Sequence, residues 1–481
     1  MARRTAEIGA LVIAVLTLVA VGVVAAIRPA VTTAGTAALP TAPPIHAGTD
    51  PLLKPVAAQP NPVWRIDAHT LFGPQANPKY LMTVAADTKM AVVEAQSDDP
   101  NTNGAIIAVD PQSGTALWAA PSSFQTNGCA ISRDGKIGCV QYTDRSQEHA
   151  VLGIIDPANG KLLSSKPINS AGYADIQRAA DGFLVPTSAY SPDDSHKTVT
   201  LNWFSSDGAR SWTHQGAQDL DNPKLSEAGD VVALSDYDKG AQVYQVDSGQ
   251  LVYDGTADLA QASNVSDSNS ATIEVDTEAG GFAVSIDDST GQHDRVRIFD
   301  RLGIERQVLD GWKLPFDPAG TESDVIAVQR HDDQNYSAGA YTVSQGRLLW
   351  QTGGLGFDGG DHLQLVGSKY LAYYESGTGN GQPWTVLDAA TGAKRGQIPA
   401  SIYMDYAGFD GSRIYFTGDT TADQPGPGAV SAFDPEHGGP PLWQYKVTQS
   451  ADEVNVRIVG PWLFRYDASV TGSVAALSRM G

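Results

Sequence analysis

A phrase that keeps returning constrains this chain more than any other feature of it. The stretch AIIAVDPQSGTALW at 105–118 alternates apolar residues, breaks at Asp-Pro-x-x-Gly, and runs apolar again into a Trp. VLGIIDPANGKLLS at 151–164 and PWTVLDAATGAKRG at 383–396 repeat it. Its Asp position recurs at Asp110, Asp156, Ser205, Asp247, Asp300, Ser344, Asp388, Asp434 and finally Leu477 or Ser478, at intervals of 42 to 53 residues. A period of that length marks a propeller or a solenoid.

Each unit carries two further strand-like runs ahead of the phrase. The seventh reads HLQLVGS, KYLAYYES, QPWTVLD and AKRGQIPA; the eighth reads MDYAGFDG, SRIYFTGD, GAVSAFD and PPLWQYKV. Short alternating runs separated by Gly, Asn and Asp turns, with no helical period, predict four-stranded antiparallel blades. The residues of the phrase then have structural work. An Asp side chain accepts backbone N–H groups two residues on, and Gly supplies positive φ. That assigns Asp110 with Gly114, Asp156 with Gly160, Asp388 with Gly392, and Asp434 to turns between third and fourth strands. Trp118, Trp212, Trp350 and Trp443 follow as flat apolar plates that pack neighbouring blades.

The ends of the repeat predict closure. The last unit has NVRIVG, PWLFRYD and SVAALS but no fourth strand, whereas PVWRID at 62–67 is an orphan fourth strand with Trp64 in the Trp place. If 62–67 completes the last blade, residues 62–478 form a ring without open sheet edges. Counting units this way gives nine.

The phrase VDPQSGTALW resembles the tryptophan-containing repeat of quinoprotein-type (PQQ-like) β-propellers, a group that includes quinoprotein alcohol dehydrogenases and the propeller lipoprotein of bacterial outer-membrane assembly. The resemblance covers about 62–478 and lies at the level of the repeat only. It implies an all-β propeller that is usually eight-bladed, so eight and nine blades both stand. It also implies a quinone seated against a disulfide of adjacent cysteines, with calcium and an Asp base. Here the only two cysteines are Cys129 and Cys139, ten apart, so no position matches that pair and PQQ is not expected.

Those cysteines have a simpler reading. In NGCAISRDGKIGC, Arg133-Asp134-Gly135 makes a three-residue hairpin loop, Ser132 pairs with Lys136, and Cys129 falls opposite Cys139. Opposed cross-strand residues lie within disulfide reach. A disulfide fits an exported chain; two buried free thiols are the alternative.

Export is expected from the start of the chain. Residues 1–7 carry Arg3 and Arg4, and Ile8–Ile27 are uncharged and long enough to span a bilayer. The positive-inside bias makes 1–7 cytoplasmic and 8–27 a signal anchor, with a cleaved signal peptide as the competing reading. Residues 28–61, rich in Pro, Ala and Thr, read as a disordered linker.

Charge narrows the partners. Against 54 Asp and Glu stand 32 Lys and Arg, a net −22 that disfavours nucleic acid. The eight loops expected between second and third strands (SDDPNTN, YTDRSQEH, SPDDSHK, SDYDK, IDDSTGQHDR, RHDDQN, ESGTGNGQ and GDTTAD) together carry −11, half of the total. In a propeller those loops gather on one rim. One of them, DPNTNGAIIAVD at 99–110, sets Asp99, Asn101, Asn103 and Asp110 at oxygen-ligand places of a calcium-loop template, although position 12 is Asp and not the bidentate Glu. The same residues also read as a polar hairpin with an Asn-Gly turn. There is no H-E-x-x-H and no G-x-S-x-G, so no catalytic set is assigned.

The expectation is therefore a single-pass, extracytoplasmic propeller that binds an envelope protein or cell-wall component without catalysis. The alternative is a degenerate quinoprotein-like dehydrogenase or a polysaccharide-active hydrolase.

Overall fold

The computed structural model describes residues 53–481, apart from 75–77, 97–104, 121–125, 144–148, 169–172, 192–195, 221, 227, 237, 266–270, 288–293, 316–323, 333–334, 356–362, 367–368, 375–382, 400–404, 418–428, 447–453 and 470–473. Alternating apolar runs form strands, and Gly-containing turns join them into nine antiparallel sheets among the described residues. Blades 1 to 8 span 80–120, 126–168, 173–215, 222–254, 272–310, 312–355, 363–398 and 405–445. Blade 9 takes its first three strands from 454–480 and its outermost strand from Pro62–Asp67. That closing strand pairs antiparallel with Ala476–Met480, Arg65 opposite Ser478 and Ile66 opposite Leu477.

Nine blades is the count, and the units around 205 and 247 are complete sheets. Nine apolar clusters lie one in each seam between consecutive blades. Blades 1 and 2 share Val92, Ile106, Trp118, Ile137 and Ile155. The circuit closes where Trp462, Phe464 and Leu477 of blade 9 meet Leu81, Val93 and Ile107 of blade 1. Two-sided burial explains why the middle strands are near-continuous apolar runs: Val231 to Leu234 in blade 4 are all fully buried.

Blade 6 departs from the pattern. Its sheet has three full strands, and the innermost place is held by Lys313 alone, bridging Gln329 through both main-chain bonds at 2.8 and 2.9 Å. Two helices, Ala68–Phe72 and Thr256–Val265, occupy connections between blades, where the periodicity of the strands gave no sign of them. The longer one buries Leu259 and Ala262 in the seam of blades 4 and 5.

The signal anchor expected at 8–27 lies outside the described residues, and among those described no helix is long and apolar enough to cross a membrane. Of the linker expected at 28–61, only 53–61 is described, and this part is seated on the body: Leu53 and Val56 are buried between blades 8 and 9. The composition of the segment hid two aliphatic anchors.

Candidate functional site

The repeated turn is built the same way in blade after blade. In blade 1, Asp110 Oδ1 accepts the Gln112 N–H at 2.8 Å, Oδ2 accepts the Ser113 hydroxyl at 2.9 Å, and the Gly114 N–H donates to the Asp110 carbonyl at 2.8 Å. Asp156 accepts from Ala158 N–H, Asp388 from Ala390 and Thr391 N–H, and Asp434 from Glu436 N–H. Those amides hold the Asp110 carboxyl below the ordinary carboxylate range, with the Gln112 N–H the leading cause. At Asp388 partial burial works the other way and is outweighed by hydrogen bonds from Arg395 and Thr391.

Four of the repeat tryptophans serve the next blade's turn. Trp118 Nε1 donates to the Pro157 carbonyl at 2.9 Å, Trp212 to Val246 at 2.7 Å, Trp350 to Ala389 at 2.8 Å and Trp64 to Pro111 at 2.9 Å. In every case the indole also lies over the turn glycine: a Cβ on Gly160 would stand 2.4 Å from the Trp118 ring, and one on Gly392 would stand 2.6 Å from Trp350. The turn glycine is thus needed twice, for its positive φ (+72° at Gly160) and for the plate above it.

Three anchor positions move. In blade 4 the turn runs from Gln245, whose carbonyl accepts the Gly249 N–H at 2.8 Å and whose Oε1 accepts the Ser248 hydroxyl at 2.9 Å. Asp247 therefore sits inside the turn. In blade 6 Thr342 accepts the Gly346 N–H at 2.7 Å, and Ser344 is the interior residue. Leu477 and Ser478 lie in the strand Ala476–Met480 and head no turn.

Of the calcium-loop residues, Asp99, Asn101 and Asn103 lie outside the described residues, and both oxygens of Asp110 are occupied by its own turn. Among the described residues no group of three His, Cys, Asp or Glu is placed to hold a metal ion. Cys129 and Cys139 are joined, directly opposite across the first two strands of blade 2 with Cα atoms 4.1 Å apart. The hairpin is the expected one, with Ser132 N–H to Lys136 carbonyl at 2.9 Å and Gly135 at φ +83°. A bridge between two strands, buried in the seam of blades 1 and 2, offers no platform of adjacent cysteines, so the residues do not fit a quinone.

The order of strands puts the connections between second and third strands at the opposite end of the ring from the Asp-x-x-x-Gly turns. Most of the eight acidic loops lie outside the described residues; their flanks in blades 3 to 5 are described. There His196 Nδ1 lies 3.0 Å from Asp219 Oδ2, and Lys239 pairs with Asp238 at 2.9 Å. Lys313 Nζ lies 3.2 Å from Asp294 and 3.6 Å from Asp287, whose Oδ1 accepts the Ser285 hydroxyl at 2.6 Å. Burial pushes the Asp287 carboxyl up, opposed by Lys313. Burial also works against the Lys313 charge, but Asp287 and Asp294 outweigh it and raise its pKa, so the amine is held protonated and is no nucleophile. A second bracket ties the helix Thr256–Val265 to blade 5: Arg297 pairs with Asp258 and, at 2.6 Å, with Glu305, while the Tyr253 hydroxyl donates to Asp258 at 2.7 Å. Sequence reasoning missed both brackets, because their ion pairs join residues 8 to 39 apart and share no spacing rule.

No family model matches the chain, and no curated protein is detectably similar in sequence. Solved structures do match. BamB from Moraxella catarrhalis is 11% identical, covering 88% of this chain and 98% of that one, with a TM-score of 0.39. The quinohemoprotein alcohol dehydrogenase from Comamonas testosteroni is 10% identical, covering 88% and 76%, with a TM-score of 0.39. Sqt1 from Chaetomium thermophilum is 12% identical, covering 88% and 98%, with a TM-score of 0.41. BamB and the dehydrogenase are PQQ-like propellers, the group whose repeat this sequence resembles.

Proposed function

We propose that this chain is a non-catalytic binding scaffold of the cell envelope. Residues 8–27 anchor it in the membrane with 1–7 in the cytoplasm, and the propeller stands outside, presenting its acidic rim to an envelope protein or a cell-wall component that carries positive charge. The observation that carries the reading is the −11 carried by eight segments, each of which joins the second and third strands of its blade. Charge of one sign gathered on one face of a rigid body steers an oppositely charged partner and fixes its orientation. The Cys129–Cys139 bridge supports the compartment, since disulfides persist where the surroundings oxidise.

The test uses the full chain as bait in detergent-solubilised membranes, beside a variant with Asp98, Asp99, Asp419 and Asp423 each changed to Asn. A specific partner is expected with the unaltered chain at low salt, weakened at least tenfold by the four substitutions and by roughly 0.5 M salt, where screening falls to a few ångströms. Recovery of nothing reproducible, or of a partner indifferent to both, refutes the proposal.

A further inference from the structure

We propose that the groove between blades 8 and 9 is a docking site for an extended polypeptide with two aliphatic side chains three residues apart, a site the chain fills with its own Leu53 and Val56. The inference does not rest on the acidic rim.

Other seams show what this one lacks. Where Trp64, Trp118, Trp212 and Trp350 donate, the acceptor belongs to a hairpin turn that is covalently continuous with both of its strands. Blade 9 has no such turn, because its third strand Ala476–Met480 and its outermost strand Pro62–Asp67 are not consecutive in the chain. Trp443 Nε1 donates instead to the carbonyl of Val56, at 2.7 Å. Three further bonds hold the same segment: Leu53 N–H to the Phe409 carbonyl at 3.2 Å, Lys54 N–H to the Pro461 carbonyl at 2.8 Å, and Val56 N–H to the Tyr415 hydroxyl at 3.2 Å.

All four bonds use main-chain atoms of the occupant, so they read an extended backbone whatever its sequence. Selectivity comes from the two buried side chains, Leu53 at 5% and Val56 at 4% exposure, which join Tyr415, Val430, Trp443, Val456 and Leu463. Lys54, Pro55 and Ala57 are exposed; of these only Lys54 reaches back to the body, with its Nζ 6.0 Å from the centroid of the Trp462 ring. The receiving side is organised without the occupant: the Tyr415 hydroxyl donates to Asp410 at 2.6 Å, and Arg413 pairs with Asp410 at 3.1 Å. Residues 57–59 are exposed and separate the segment from the closing strand, so 53–56 can lift while 62–67 stays zipped. A tethered occupant holds off a free one by its high local concentration, and its release opens the groove.

The experiment compares the full chain with a variant carrying Leu53→Asp and Val56→Asp, using a fluorescent peptide of residues 51–59, PLLKPVAAQ, as the probe. The variant is expected to bind the peptide at least tenfold more tightly than the unaltered chain, whose own segment competes. Adding Trp443→Phe is expected to weaken that binding about fivefold or more, and a peptide with both aliphatic residues changed to Asp is expected not to bind. A variant with native circular dichroism that ignores the peptide overturns the proposal. Should the variant not fold, hydrogen exchange on the unaltered chain decides: amides of 53–56 exchanging at least tenfold faster than those of 62–67 support a latch that opens alone, and equal rates refute it.

Discussion

At the scale of single residues, one turn glycine does two jobs that can be separated. Gly135, in the cysteine hairpin, has φ +83° and nothing within 4 Å of where a Cβ would stand. Gly160 has a similar φ of +72°, but its Cβ would stand 2.4 Å from the Trp118 ring. Gly135→Ala is expected to cost about 1 kcal/mol, the strain of a left-handed alanine. Gly160→Ala carries that strain and must also push the indole off the Pro157 carbonyl, for a total of about 3 kcal/mol. Denaturant midpoints of the two variants check the order, and equal losses would mean that the Trp plate does not constrain its glycine. The Asp members of the phrase were legible because their chemistry is local, and the Trp members because they recur at a fixed place after it. The misplacement at Asp247 and Ser344 has the same origin. The turn requires an acceptor at its first position, and Gln245 Oε1 or Thr342 Oγ1, which accepts the Arg347 N–H at 3.2 Å, meets that need without being an aspartate.

Among elements, hairpins were readable and connections between blades were not. A three-residue loop fixes register, and that register is enough to set Cys129 opposite Cys139. A bridge spanning 10 residues restrains the unfolded chain by about 2–3 kcal/mol on a loop-entropy estimate. Reduction is therefore expected to lower the melting temperature, and Cys129→Ala with Cys139→Ala should melt where the reduced protein does and no longer respond to reductant. An unchanged melting temperature on reduction would show that the hairpin is already closed in the denatured chain. The helix Thr256–Val265 and the single-residue bridge at Lys313 escaped sequence analysis for a different reason. Each is held by partners distant in the chain, Arg297 for the helix and Gln329 for the bridge, so neither needs a strong pattern of its own. Residues 53–56 escaped in the same way: the alanines and prolines around them read as tether, and only the groove that Trp443 and Tyr415 make gives Leu53 and Val56 a place to be buried.

For the whole molecule, repetition turns a local titration into a collective one. The carboxyls of Asp110, Asp388 and Asp434 occupy the same place in three blades, and all lie below the ordinary range. A carboxyl with a depressed folded pKa favours the folded state fully above its unfolded value, near 4, and loses that contribution as pH falls through the folded value. Asp287 and Asp324 run the other way, since burial raises both, and acid relieves them. The turn aspartates are the more numerous set, so melting temperature is expected to hold from pH 7 to 5 and to fall below about pH 4. General charge repulsion does not account for the start of such a fall, because the chain passes its neutral point near pH 4.6 and carries little net charge there. Asn at the three positions keeps an oxygen for the turn amides and does not titrate. A variant with Asp110→Asn, Asp388→Asn and Asp434→Asn should therefore show a shallower acid limb when melting is followed at fixed ionic strength from pH 7 to 3. Parallel limbs in the two proteins would move the acid sensitivity away from the turns. The prediction belongs to the ring more than to any blade, because the Asp110 and Asp388 turns each receive a tryptophan from the preceding blade, and the Asp434 turn packs on the backbone of Gln397 in blade 7. Protonation over one narrow pH window then loosens several seams of a closed circuit together.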